Sequence, residues 1–145
     1  MKLKKKLGLL IALSVLSSSM FVCAQTAYYS NFTFKTSSAY EDKTATVTSA
    51  TKADNETNWY YRITSVSGVG TQSSGKIFFL EPNYSGGGLG CATPAIISSN
   101  ITLNTPLNAP YYGSCPKNYT YTLYAKSNDS YSGTINAKFS GRFTP

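Results

Sequence analysis

The chain has 145 residues, of which 13 are Lys or Arg, six are Asp or Glu and none is His, and its formal net charge is +7. The absence of histidine excludes a Ser-His-Asp or Cys-His catalytic set and removes the commonest zinc ligand. Charged residues make up only 13% of the chain, and Thr, Ser, Tyr and Gly are frequent instead, which is typical of strands and turns.

Residues 1–24 have the pattern of a secretory signal peptide. Four lysines precede a short apolar run over residues 7–16, and a small-residue cleavage site ends at Ala24. We therefore predict cleavage before Gln25 and a secreted, extracellular protein. Cys23 leaves a second interpretation open, a lipid-anchored cysteine, although its flanking residues fit a lipoprotein signal poorly.

Removal of that segment leaves residues 25–145 as one predicted domain. Its nine basic and six acidic residues give a net charge of +3, which is too weak to indicate a nucleic-acid partner. The apolar run of the signal is too short for a comfortable membrane span, and no later segment approaches its length. We predict no transmembrane segment in the mature chain.

The mature chain alternates Thr with aromatic and β-branched residues and shows no sustained helical periodicity. Seven strands are predicted, at Tyr28–Thr36, Thr44–Ala50, Asn58–Val66, Lys76–Leu80, Ala95–Leu103, Tyr119–Lys126 and Thr134–Phe143. Seven short strands with turn residues between them favour an all-β fold, a single antiparallel β-sandwich. Two long irregular segments remain, residues 81–94 and 104–118.

Each irregular segment contains one cysteine, Cys91 and Cys115. An even number of cysteines in an exported chain favours a disulfide, and this one would close a loop of 25 residues. The predicted bridge would join the two irregular segments. Two free thiols are the alternative.

The segment IFFLEPNYSGGGLGCATP, residues 77–94, invites a phosphate-binding interpretation because of its glycines. A phosphate loop leads into a helix N-terminus, usually with a lysine, whereas this one leads into a strand and has no basic residue between Lys76 and Lys117. We interpret it as a turn. Glu81 ends the preceding apolar strand and supports a third, weaker hypothesis, a small hydrolase. No cofactor and no metal site is predicted.

Tyrosines in the predicted loops form the candidate binding site. Tyr84, Tyr111 and Tyr112 lie among Asn, Ser and Gly, a composition typical of binding surfaces, because the ring contacts apolar groups and the hydroxyl forms hydrogen bonds. The alternative is that these rings fold back over the ends of the sandwich. If the disulfide forms, it brings the three rings to one rim.

Several stretches resemble a family of small secreted proteins of Gram-positive bacteria that is catalogued as a domain of unknown function. They are NFTF with Tyr40, NWYYRITSVSGVGT, KIFFL, APYYG, YTLYAKSND and SGRF. The resemblance implies a small exported β-domain and carries over no catalytic residues. The chain departs from the family in its cysteine pair and in its ending, GRFTP.

These observations predict a non-enzymatic secreted binding or effector protein that acts at a cell envelope and is bacteriocin-like. Its expected partner is a cell-wall glycan, a membrane surface or an extracellular protein. The alternative is a structural or adhesive extracellular surface module.

Overall fold

A computed structural model describes residues 25–84, 91–113 and 115–145, and over these residues it contains eight strands and one short 3-10 turn at Gln72–Ser74. In chain order the strands are β1 (Ala27–Lys35), β2 (Thr44–Thr51), β3 (Asn58–Ser67), β4 (Phe78–Tyr84), β5 (Ala95–Ile97), β6 (Leu107–Pro110), β7 (Thr120–Ser127) and β8 (Asn136–Thr144).

The strands form two four-stranded sheets in which every pairing is antiparallel. Sheet I has the order β1-β8-β3-β6, and sheet II has the order β2-β7-β4-β5. The first strand therefore pairs with the last. The longer edge strands, β1 and β2, each contain an irregularity in their pairing, between Tyr29 and Phe32 in β1 and between Thr46 and Thr48 in β2.

The core lies between the two sheets and is rich in aromatic rings. Phe78 of sheet II packs against Phe34 and Phe139 of sheet I, with ring centroids 5.7 and 4.7 Å apart. Period-two alternation explains this layer, because every second residue of a strand faces the same side. In β8, for example, Ala137, Phe139 and Phe143 are fully buried, whereas Lys138, Ser140 and Arg142 face outwards.

The predicted all-β fold with two antiparallel sheets is confirmed, but the count of seven strands is wrong. The additional strand, β6, lies within residues 104–118, which we expected to be irregular. Strand β5 ends at Ile97 instead of Leu103, and β4 continues through Glu81 to Tyr84. The signal peptide with Ala24, and the glycine run at residues 85–90, lie outside the described residues.

The predicted disulfide is also wrong for this structure. Cys91 and Cys115 are both free thiols, and the pair lies 4.3 Å apart, well beyond the bond length of about 2.05 Å. Each sulfur is held by another group instead, because Cys91 Sγ donates to the Pro82 carbonyl at 3.2 Å and Cys115 Sγ donates to the Cys91 carbonyl at 3.6 Å. Within the described residues, no helix is long and apolar enough to cross a membrane.

Candidate functional site

The two irregular segments meet at one end of the sandwich, as the sequence predicts, but through backbone hydrogen bonds. Ala92 and Tyr111 form an isolated antiparallel bridge. Thr93 N donates to Pro110 O at 2.8 Å, and Tyr112 N donates to Cys91 O at 2.7 Å. The segment after β4 is therefore attached to the segment after β6 without a covalent bond.

Four tyrosine rings gather at this end, and we call them the tyrosine cluster: Tyr84, Tyr111, Tyr119 and Tyr121. Tyr84 stands opposite Tyr121 in the β4–β7 pairing, with ring centroids 5.3 Å apart. Tyr121 also contacts Tyr111 at 5.6 Å, and Tyr84 contacts Tyr119 at 5.7 Å. Tilted and edge-on ring pairs at these distances are favourable aromatic contacts.

The three tyrosines that the sequence predicts as a binding rim occupy different environments. Tyr112 is 58% exposed and projects from the surface, as predicted. Tyr111 is only 7% exposed and belongs to the core, so its ring is a packing residue. Tyr84 is half-buried at the end of β4 and lies in a strand rather than in a loop. The structure thus brings Tyr84 and Tyr111 together around Tyr121 and leaves Tyr112 outside them.

Tyr119 is the exposed aromatic residue of this end that sequence reasoning missed. It is 49% exposed, directly precedes β7 and contacts the Tyr84 ring. The sequence predicts it as the first residue of a strand, Tyr119–Lys126, and not as a residue of the candidate site. The signal that could have found it is its neighbour Asn118, which adopts a positive φ of 66° and so turns the chain just before the strand.

Lys52 is a second unpredicted member of the site. It is fully buried just after β2, its Nζ lies 3.2 Å from Asp54 Oδ1, and it stands 5.1 Å from the centroid of the Tyr111 ring. A buried cation needs such partners, because transfer of an unpaired charge out of water is costly. Its inward position follows from period-two alternation with Ala50, which is also buried.

Burial sets the acid–base properties of this end. Burial raises the pKa of Cys91 to about 12, and the nearby Cys115 thiol is the second largest cause. The Cys91 sulfur is therefore a protonated thiol at neutral pH. Burial also raises the pKa values of the Tyr111 and Tyr121 hydroxyls. These groups are weak nucleophiles near neutral pH, because the thiolate and the phenolate are the reactive forms.

Glu81, the residue of the hydrolase hypothesis, lies in β4 and is 3% exposed. Its Oε2 accepts a hydrogen bond from Lys126 Nζ at 3.1 Å. Asp42 and Asp129 line the same cleft, which has a volume of about 340 Å³. Within the described residues, no group of three or more His, Cys, Asp and Glu side chains is placed to hold a metal ion.

The predicted N-terminus of the mature protein lies close to this end. Gln25 is exposed, and its side-chain oxygen accepts a hydrogen bond from Thr51 N at 3.4 Å. Thr26 and Thr144 share a hydrogen bond of 2.8 Å between their hydroxyls. Hydrogen bonds therefore hold the first two residues that follow the expected cleavage site.

No family model, no curated protein and no solved structure matches this chain. The resemblance to the Gram-positive secreted family stays a prediction.

Proposed function

We propose that this protein is a secreted, non-enzymatic binding protein that acts at a bacterial cell envelope as a bacteriocin-like effector. The observation that carries the proposal is the pair Tyr112 and Tyr119, two half-exposed rings at one end of the sandwich. Aromatic rings that are grouped at one end of a domain with their faces in water form the kind of surface that binds sugars or membrane interfaces.

The residues that hold these two rings in place also support the proposal. Tyr119 rests on Tyr84, which rests in turn on the buried Tyr121. Tyr112 follows directly after Tyr111, which is fixed by its bridge to Ala92. Rings held on a rigid base lose little conformational entropy on binding, so a larger part of their contact energy appears as affinity.

The test is the binding of purified protein to isolated cell walls and to intact cells. The variant Tyr112→Ala with Tyr119→Ala should lose about tenfold in affinity or more, because each ring contributes on the order of 1 kcal/mol beyond its burial. Growth inhibition of related bacteria should fall in parallel. The melting temperature should change little, since both rings are half in water.

The matched control is Tyr40→Ala with Leu103→Ala, which removes two exposed apolar side chains outside this end, 63% and 43% exposed. The control should bind walls as the unchanged protein does. Equal loss in both variants would refute the assignment of binding to this end. Wall binding without growth inhibition would instead favour the adhesive or structural module.

A further inference from the structure

The outer face of sheet I carries a group of basic side chains. Strands β1, β3, β6 and β8 contain no Asp or Glu, and their charged residues are all basic. These residues are Lys35, Arg62, Lys138 and Arg142, and all four point away from the buried layer of their strands. Four of the nine basic residues of the predicted mature chain therefore lie on the outer face of a sheet whose strands contain no carboxylate.

Two of these residues stand directly opposite each other. Arg62 of β3 pairs in register with Arg142 of β8, and Arg142 pairs with Tyr28 of β1, so the three side chains form one row across three strands. Like charges opposite each other in a sheet are destabilising. Among the described residues, neither guanidinium makes an ion pair, and Arg62 Nε is buried without a hydrogen-bond partner. The row is thus unfavourable in the protein alone.

A cleft of about 360 Å³ opens beside this row. The two arginines and Tyr28 line it together with the hydroxyl-bearing residues Ser30, Thr64 and Ser140, and none of its lining residues is acidic. On the far side of Arg142 lies a separate cleft that includes Asp54 and Glu56. An anion therefore meets attraction on the Arg62 side of Arg142 and repulsion on the other side.

We propose that the row Tyr28–Arg142–Arg62 binds the phosphate groups of an anionic phosphodiester polymer. A guanidinium presents several donors in a fork that matches a phosphate bidentately. Two such forks and the surrounding hydroxyls offer more hydrogen-bond donors than the two oxygens of one carboxylate can accept. A tetrahedral phosphate has oxygens that face several directions, so it matches this set of donors better.

The spread of charge favours a chain of phosphates over a single one. Lys138 lies four residues from Arg142 along β8, a distance of about 13 Å at the rise of an extended strand. Lys35 extends the basic line further along the same face. One phosphate cannot reach both ends of this line, but a polymer with repeated phosphates can follow it. The proposal adds a ligand class to the proposed envelope function at a surface separate from the tyrosine end.

The test is a titration of purified protein with soluble poly(glycerol phosphate), followed by calorimetry at several salt concentrations. Arg62→Gln with Arg142→Gln should weaken binding at least tenfold. The plot of log K against log salt concentration should also become less steep by about 2, one for each lost phosphate contact. The control is Lys76→Gln with Lys117→Gln, which removes two positive charges outside the strands of sheet I. It should change affinity less than about threefold.

Further measurements separate a loss of phosphate binding from a loss of folding and from a failure of the envelope proposal. The melting temperature of the Arg62→Gln, Arg142→Gln variant should be unchanged or higher, since a like-charge pair has been removed. If that variant does not fold, Arg62→Lys with Arg142→Lys keeps the charge but removes the forks, and it should bind with an intermediate loss. Tyr112→Ala with Tyr119→Ala should bind the polymer normally, so failure of the envelope proposal is distinguishable from failure of this one.

Three results would overturn the inference. Poly-glutamate of equal charge density binding as tightly as poly(glycerol phosphate) would mean that the face recognises charge without phosphate geometry. Phosphatidylglycerol vesicles binding at the same phosphate concentration while the soluble polymer does not would identify a membrane surface instead. An equal loss of affinity in the Lys76→Gln, Lys117→Gln control would show that binding depends only on the net charge of the protein.

Discussion

Adjacent residues at the candidate site differ completely in environment, and Tyr111 and Tyr112 are the clearest case. The first is a core ring against Tyr121 and the Lys52 ammonium, and the second is in water. Period-two alternation in APYYG requires one tyrosine to point inwards and one outwards, but alternation alone does not say which. The bridge between Tyr111 and Ala92 decides it, and that contact joins residues 19 positions apart.

The two tyrosines should therefore respond oppositely to truncation. Tyr111→Ala should lower the free energy of unfolding by about 3–5 kcal/mol, since it empties a core position occupied by an aromatic ring. Tyr112→Ala should change it by less than about 0.5 kcal/mol, as is usual at the surface. Urea denaturation of both variants gives the comparison. A large loss for Tyr112→Ala would show that its ring packs against the protein.

Lys52 illustrates what residue-level reasoning misses. A lysine beside an exposed turn is normally solvated, and its inward position was recognisable only from the alternation with Ala50. The ammonium remains in the core because Asp54 and the Tyr111 ring compensate part of its lost hydration. Asp54 is only two residues away, but the Tyr111 ring is 59 positions along the chain, so that contact is a property of the fold.

At the scale of elements, long alternating strands were predictable and short or interrupted ones were not. The two long alternating strands β3 and β8 lie within two residues of their predicted bounds, Asn58–Val66 and Thr134–Phe143. Strand β6 has only four residues and ends at Pro110, which gives alternation too little length to detect. It forms a strand because β3 provides its pairing partner.

The continuation of β4 past Glu81 has a specific cause. Pro82 lacks an N–H group and would normally exclude this segment from the interior of a sheet. However, β5 pairs with Phe78–Leu80, so among the described residues no strand faces that side of β4 at Pro82. Cys91 Sγ donates to the Pro82 carbonyl on that open side instead. A proline that looked like a strand terminator is thus tolerated.

Substitutions on the buried and the exposed face of the edge strand β6 test its register against β3. Ala109 stands opposite Trp59 and is buried, whereas its neighbour Asn108 is exposed. Ala109→Lys should lower the free energy of unfolding by about 2 kcal/mol or more, because it forces a long charged side chain against the core. Asn108→Lys in the same strand should change it by less than about 0.5 kcal/mol. Equal effects would show that β6 does not pair in this register.

For the molecule as a whole, the buried groups with shifted pKa values titrate on the alkaline side. The pKa of Cys91 is raised by burial to about 12 from an ordinary value of 9.0, and burial also raises the pKa values of Tyr29, Tyr111 and Tyr121. The folded state therefore retains protons that the unfolded chain releases between about pH 9 and pH 12. Their contribution to stability is complete below pH 9 and is lost as the pH rises through that window.

We accordingly expect the free energy of unfolding to be nearly constant from pH 6 to pH 8, where the absence of histidine removes the usual titrating side chain, and to fall above about pH 9. Urea midpoints measured across this range at constant ionic strength provide the test. A midpoint that stays unchanged up to pH 11 would show that these groups titrate normally in the folded protein.

The position of β8 between β1 and β3 also determines when the molecule can fold. Strand β1 has β8 as its partner in sheet I, and β3 needs β8 on one of its sides, although β8 comes last along the chain. Sheet I consequently cannot be completed until the residues of β8 have left the ribosome, and contacts so distant in sequence form slowly. Strand β1 therefore lacks its partner in sheet I throughout synthesis, and a chain whose first strand is still unpaired is easier to thread unfolded through a translocation pore.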